Sequence, residues 1–457
     1  MAALLVLSFA IAGCSGNKGP AEGTLGFVRG FLGGVVADEP RAATIGRDVL
    51  SAGGTAADAA VAVFFAMAVT RPSIAGLGSS GQCLVFNDDS KRVEALDFTA
   101  PDGVPGAPRA MFALHAKYGR LRWEQVTGSS ETLARFGVPV SRGFARDIAA
   151  ASTTIAQSPD LARIYRQPDG SLPGEGSFIQ QLDLATTLGL IRRAPGDFYA
   201  GGFARQYADA AQGKGFALTT GAMRAYTPQF QEPIQVNFGL LTTYFPQGPG
   251  GAYAARLWTE LASQGAYDRA ANNAKAATIA DVATRALPQG LIQDPPGRPP
   301  AGVSFVVADR YSATVACSYS MGRPFGTGKV IPGTGIVPAA PLSRGEELAL
   351  SPMLAINTRV NKMFFAAAAS GGAAAPTAMI ETALGALVDN RSLTDALAAP
   401  RVHPVAPGNI ASEPQVSLGF VNGFNCPKGL VSPGRETPEG ICEVAADRRG
   451  FGLALQQ

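Results

Sequence analysis

The sequence predicts a layered α/β (α+β) sandwich whose sheets draw strands from both ends of the chain. Three observations carry that expectation. Strand and helix patterns alternate over residues 33–97, helical patterns dominate 108–290, and strand patterns return from residue 303. The apolar period changes from about 3.6 to 2 across the glycine-rich turn at 75–81. Glycine and proline, 55 plus 33 of 457 residues or about 19%, exceed the usual figure of roughly 12% and call for many tight turns.

The elements follow in order. Residues 33–37, GGVVA, read as a short strand. A helix over 40–52 opens with Pro40 in its first turn and stops at Gly53-Gly54. A second helix follows Thr55, AADAAVAVFFAMAVT. It is apolar on every face and is therefore expected between layers. Strands at 82–87 and 92–97 are joined by the turn Asn87-Asp88-Asp89-Ser90. Helices are expected near 108–118, 125–136, 142–156, 180–193, 201–212 and 252–264, with a strand hairpin near 233–245. The stretch 288–301, PQGLIQDPPGRPPA, holds five prolines and reads as an extended, exposed connection. Beyond it come strands at 303–308, 314–320 and 364–369, and a helix at 377–388 after Gly371-Gly372. No internal repeat is visible.

Composition narrows the function classes. The hydrophobic fraction of 46% supports a sizeable core. A net charge of +3 is too balanced for a dedicated nucleic-acid binder, so no nucleic-acid partner is expected. Two histidines, His115 and His403, exclude a multi-histidine metal site.

Residues 1–13, MAALLVLSFAIAG, form an apolar run too short for a bilayer span of about 20 residues. The run has the length of a signal-peptide core, although no Lys or Arg precedes it. Ile11-Ala12-Gly13-Cys14 resembles a bacterial lipobox, whose cysteine is lipidated. Residues 15–29 then read as a tether. The expectation is an exported lipoprotein, periplasm-facing or at the cell surface, held to a membrane surface through Cys14. The competing reading is a buried N-terminal strand or helix. No CxxC spacing occurs. Cys426 and Cys442 flank a Pro/Gly-rich loop and are expected to pair in an oxidising compartment. Cys83 and Cys317 lie in alternating apolar segments and read as core residues.

Several segments together resemble the γ-glutamyltransferase family. GGVVADEPRAATIGRDVLSAGGTAADAAVAV, RPSIAGLGSSGQCLVF and EALDF look like its N-terminal region. VPGAPRAMFALHAKYGRLRWEQV, QQLDLATTLGLI, DFYAGGFARQYADA and YFPQGPGG are similar to its next segments. FGTGKVIPGTGI, SPMLAI, SGG, LTDALAAPRVH and ADRRGFG then follow in the family's order. The resemblance covers most of 30–457. It implies the four-layer αββα sandwich of N-terminal-nucleophile hydrolases, with no cofactor. It also implies a large-subunit-like region at 30–290 and a small-subunit-like region at 291–457 of one sandwich.

In that family the precursor cuts itself before a threonine, which becomes the nucleophile with its own α-amine as base. Counting back from Phe325-Gly326-Thr327-Gly328 puts that position at Gly302, followed by Val303. Gly302 has no hydroxyl. Thr99 stands where the arginine gripping a glutamate α-carboxylate is expected, a loss of bidentate pairing. The supporting hydroxyl falls on Ser320 and the nearby asparagine on Gly322. The acid for the α-amine falls on Arg344, and Leu348 and Ala349 replace a serine pair before Ser351-Pro352. The stretch between Arg344 and Leu348 is shorter than the family's. Gly371-Gly372 match the oxyanion-hole glycines, though such a pair also suits a strand-to-helix turn.

Other residues offer weak replacements. Ser304 is two positions past Gly302, so on a strand it shares its face. Cys317 is a buried-pattern cysteine, usually inert. His115 sits in a helical pattern near a Trp, and His403 at a helix exit. Three readings follow: a noncatalytic family member binding an unknown small molecule or peptide, an amidohydrolase or acylase of changed specificity, or an active γ-glutamyltransferase. The joint loss of nucleophile, carboxylate grip, amine grip and serine pair favours the first.

Overall fold

The computed structural model describes residues 33–287, 301–406, 409–415, 418–426 and 442–456. Cys14, the tether and most of the 288–301 connection lie outside the described residues.

Among the described residues, one sheet has seven strands. From edge to edge they are β17 (Leu453–Gln456), β1 (Gly33–Ala37), β9 (Gly302–Asp309), β10 (Thr314–Ser320), β2 (Ser80–Asn87), β3 (Arg92–Asp97) and β6 (Gln229–Gln231). The other has six: β16 (Glu443–Ala446), β15 (Phe420–Asn425), β12 (Lys362–Ser370), β11 (Met353–Asn357), β8 (Leu241–Phe245) and β7 (Ile234–Phe238). Two small pairs, β4 (Val138–Pro139) with β5 (Phe178–Ile179) and β13 (Val402–Ala406) with β14 (Asn409–Ser412), complete the strands among the described residues. Every pairing is antiparallel.

Period-2 alternation sorts the strand side chains into two cores. Phe365, Ala367 and Ala369 of β12 face an outer core shared with the helices Pro249–Trp258 and Ala375–Leu387. Ala366 and Ala368 of the same strand face the other sheet, meeting Val36, Val306, Ala308 and Ala316. The opposite outer face of the seven-stranded sheet packs on the helices Pro40–Ser51 and Ala56–Thr70. The result is helix, sheet, sheet, helix: the four-layer αββα sandwich of the N-terminal-nucleophile hydrolase type. Small alanines at the inner faces let the two sheets approach.

The helix Ala56–Thr70 is buried along its whole length, as an all-apolar helix requires. Its N-terminus is closed by a capping box between Thr55 and Asp58. The buried Asp58 carboxylate also accepts from Arg120 N at 3.0 Å and Leu121 N at 3.2 Å, tying the helix to the turn that follows the helix Ala107–Tyr118.

The structure departs from the sequence expectation at several places. The helix expected over 142–156 is two, Arg142–Ala150 and Ser152–Gln157, parted at Ala151. The one expected at 252–264 starts at Pro249 and ends as a π-turn, Thr259–Ser263. β11 and the short C-terminal strands were not anticipated, because four- and five-residue strands carry little periodicity. Cys83 and Cys317 are core residues, as expected, but they are also bonded to each other. They stand directly opposite on β2 and β10. Cys426 and Cys442 are bonded as well.

Candidate functional site

Gly302 opens β9 and lies opposite Ser320, the last residue of β10. The Ala301 carbonyl just before it accepts from Met321 N at 2.8 Å and from Ser320 Oγ at 3.0 Å. Ser320 Oγ also lies 2.6 Å from Glu346 Oε2 and accepts from Gly322 N at 2.9 Å. One hydroxyl proton cannot serve Ala301 and Glu346 at once. Ala301 keeps its Met321 bond whichever acceptor Ser320 serves.

Glu346 is buried, on the short helix Arg344–Ala349. A Cβ built on Gly372 would lie 3.7 Å from its Oε1. The protein's own carboxylate therefore fills the space between Ser320 and the glycine pair. Arg344, two residues earlier, is exposed. Glu346 was missed by sequence reasoning. Ser343-Arg344-Gly345-Glu346 has the spacing of a capping box, and Ser343 does cap the helix, accepting from Glu346 N at 3.3 Å.

Gly371 and Gly372 turn β12 into the following helix with φ of +113° and +73°. A Cβ on Gly371 would meet Gly419 Cα at 2.8 Å. Backbone geometry alone thus requires glycine at the first of them. Leu348 and Ala349 are buried in the outer core, and Ser351 Oγ is buried with no partner among the described residues.

Thr99 is exposed, its N–H given to Asp97 Oδ1 at 2.7 Å. It lines a cavity of about 220 Å³ with Ser80, Asp102, Pro341, Leu342 and Glu347. Among the described residues no cationic side chain lines that cavity, while two carboxylates do. Among the described residues it offers the Ser80 and Thr99 hydroxyls, but no guanidinium or ammonium, to a substrate carboxylate.

Ser304 points into the layer between the sheets and is fully buried. Its N–H donates to Asp38 Oδ2 at 2.8 Å, and Asn422 Nδ2 donates to its Oγ at 2.9 Å. Asn422 and Ser370 also donate to Asp38, at 2.7 and 2.9 Å. Burial drives the Asp38 carboxyl above the usual aspartate range, against the Arg71 guanidinium and these hydrogen bonds. Arg71 is itself held by Asp147, at 2.8 and 3.0 Å. Asp38 and Asn422 had no distinguishing signal in the sequence. Together they bind the two sheets and enclose Ser304 away from any substrate.

Cys317 carries no free thiol. His115 packs against Trp123 and bonds the Leu121 carbonyl at 2.8 Å. His403 is buried on Thr377 Oγ at 3.0 Å, and burial lowers its pKa to about 4. Neither histidine is bonded to Ser304 or Ser320. No helix among the described residues is long and apolar enough to cross a membrane.

The sequence model described as Gamma-glutamyltranspeptidase matches residues 42–102 and 99–287. Gly302, Ser320, Arg344 and Gly371-Gly372 lie beyond the matched residues. A glutathione hydrolase proenzyme of Bacillus subtilis (strain 168) is 29% identical over 257 residues, 49% of this chain and 43% of that protein. Glutathione hydrolase 7 of Homo sapiens is 29% identical over 228 residues, 44% of this chain and 34% of that protein. The chain thus spans less than half the length of these relatives. Among solved structures, a cephalosporin acylase from Bacillus halodurans superposes with a TM-score of 0.75 at 20% identity, covering 96% of this chain and 98% of that one. The γ-glutamyltranspeptidase of Helicobacter pylori gives 0.50 at 24% identity, covering 58% and 84%. These two likenesses concern the fold.

Proposed function

Because this chain belongs to the γ-glutamyltranspeptidase family, we propose that it is a member without γ-glutamyl chemistry, an exported lipoprotein that acts by binding at a membrane surface. The observation that carries the reading is the centre formed by Gly302, Ser320 and Glu346. The nucleophile position offers no hydroxyl or thiol to start an acyl shift or to attack a substrate. The adjoining space holds Glu346. A carboxyl group there presents acceptor oxygens to a developing oxyanion, where catalysis needs donors. The cavity at Thr99, lined among the described residues by Asp102 and Glu347 and by no cation, is matched in the wrong sign to a glutamate α-carboxylate.

Export is supported by the apolar run ending at Cys14. Two disulfides favour an oxidising compartment. The partner at the membrane is the lipid surface itself, reached through Cys14. The ligand is a small molecule or peptide.

The test is release of a chromogenic amine from a γ-glutamyl anilide by the purified protein, alongside its intact mass. The expected result is one uncut chain and no release above a denatured control. Turnover that disappears on Ser304→Ala and survives Ser320→Ala would establish a working hydrolase of changed mechanism instead.

A further inference from the structure

We propose that a second binding site lies at the stacked edge of the two sheets and takes an aliphatic body ending in a carboxylate. Among the described residues, β16 and β17 are the outermost strands on the same side of their respective sheets. A cleft of about 630 Å³ opens between them and the helix Leu393–Ala398. That volume is in the range of roughly 300–1,000 Å³ typical of small-ligand pockets. Leu397, Ala446, Leu453 and Ala454 supply apolar walls.

Two adjacent arginines line the cleft, and they differ in how they are bound. Arg449 is fully committed. Its Nε donates to Glu413 Oε1 at 2.8 Å, its Nη2 to Glu413 and to the Ala399 carbonyl, and its Nη1 to Asp447 and the Leu397 carbonyl. Arg448 is exposed, and its guanidinium has no ion-pair or hydrogen-bond partner among the described residues. A planar guanidinium beside aliphatic walls matches a carboxylate bidentately and leaves no partner for a second charge. Small side chains at Ala445, Ala446 and Ala454 leave the cleft open to a chain-like body.

Leu453 pairs with Ala37, and Ala37 pairs with Phe305. The cleft is thus two strand spacings, about 10 Å, from β9. None of Gly302, Ser320 or Glu346 lines it. The carboxylate could come from a fatty acid or from the C-terminal end of an extended peptide. The outward backbone edges of β16 and β17 suit the latter.

The experiment is calorimetric titration of the purified full chain with four probes: decanoate, acetyl-Ala-Val-Ala-Val with a free carboxylate, the same peptide as its amide, and decyltrimethylammonium. At least one carboxylate should bind at one site per chain, and the amide and the ammonium should not. Decanoate alone binding identifies a lipid source, and the peptide acid alone a peptide source. Arg448→Gln should weaken the bound carboxylate tenfold or more, with an unchanged melting temperature. Ala398→Tyr, at an exposed position of the lining, should abolish binding by filling the cleft. Failure of both carboxylates to bind, equal binding by the amide, or unchanged affinity in Arg448→Gln overturns the proposal.

Discussion

A threonine at position 302 would begin with a Cβ 2.6 Å from the Tyr319 carbonyl oxygen and 3.1 Å from Ser320 Cβ. Both are held in the β9–β10 ladder, so the neighbour cannot swing away as a flexible side chain would. Gly302→Thr should therefore cost about 1–3 kcal/mol as overpacking. It should neither cut the chain nor restore γ-glutamyl release. A lowered melting temperature with a single intact mass is the expected pair of readings, and two chains of subunit size would contradict it. A second prediction concerns Glu381. Its Oε1 accepts from Val402 N at 3.0 Å, while Oε2 is sealed with no partner among the described residues. Burial is the main cause that pushes its carboxyl from 4.5 up to about 8. The folded state therefore holds this proton more tightly than the unfolded chain. The resulting stabilisation is fully present below about pH 4.5 and is lost as pH rises through about 8. Glu381→Gln keeps a neutral side chain at every pH. The melting temperature of the wild type minus that of the variant should fall between pH 5 and pH 9. A flat difference would show that this carboxyl is ionised throughout. The lack of a side chain at Gly302 was legible because it needs only residue order. Glu346 was not, because its spacing from Ser343 fits an ordinary helix cap.

The strands and helices of the first hundred described residues followed their periodicity closely. The helix Ala56–Thr70 and the strand Arg92–Asp97 have the bounds that the sequence suggested. Long segments repeat their pattern often enough to be unambiguous. Short edge strands such as β16 and β17 do not, and a glycine- and alanine-rich edge offers little alternation to read. The cross-strand bond of Cys83 to Cys317 shows the same limit, since it depends on β2 lying beside β10. Its two cysteines are 234 positions apart, against 16 for Cys426 and Cys442. In the chain-entropy picture these loops correspond to about 5 and about 3 kcal/mol of stabilisation. Replacing Cys83 and Cys317 together by alanine should thus lower the melting temperature more than replacing Cys426 and Cys442. Thiol labelling of the denatured, unreduced protein should find all four unreactive. Labelling of Cys83 or Cys317 would remove the central bond from this account.

The whole molecule depends on joining the two ends of the chain. β1 lies between β17 and β9, so strands from before and after the proline-rich connection share one sheet. If Cys14 carries a lipid, this sandwich is held at the membrane by a tether. Cys14→Ser should then move the protein from the membrane fraction to the soluble fraction. A wild type already soluble, with Met1 retained, would end the lipoprotein reading. Residue order by itself determined the layered class, most of the long elements and that residue 302 carries no side chain. Those properties depend on local periodicity and on which atoms a residue carries. Tertiary structure alone decided that Asn422 reaches Asp38 across 384 positions and that Glu346 lies against Ser320. It alone left Arg448 without a partner among the described residues while Arg449 is bound. Each of these depends on which strands and helices lie side by side. That is settled by burial of whole faces, so no single residue announces it.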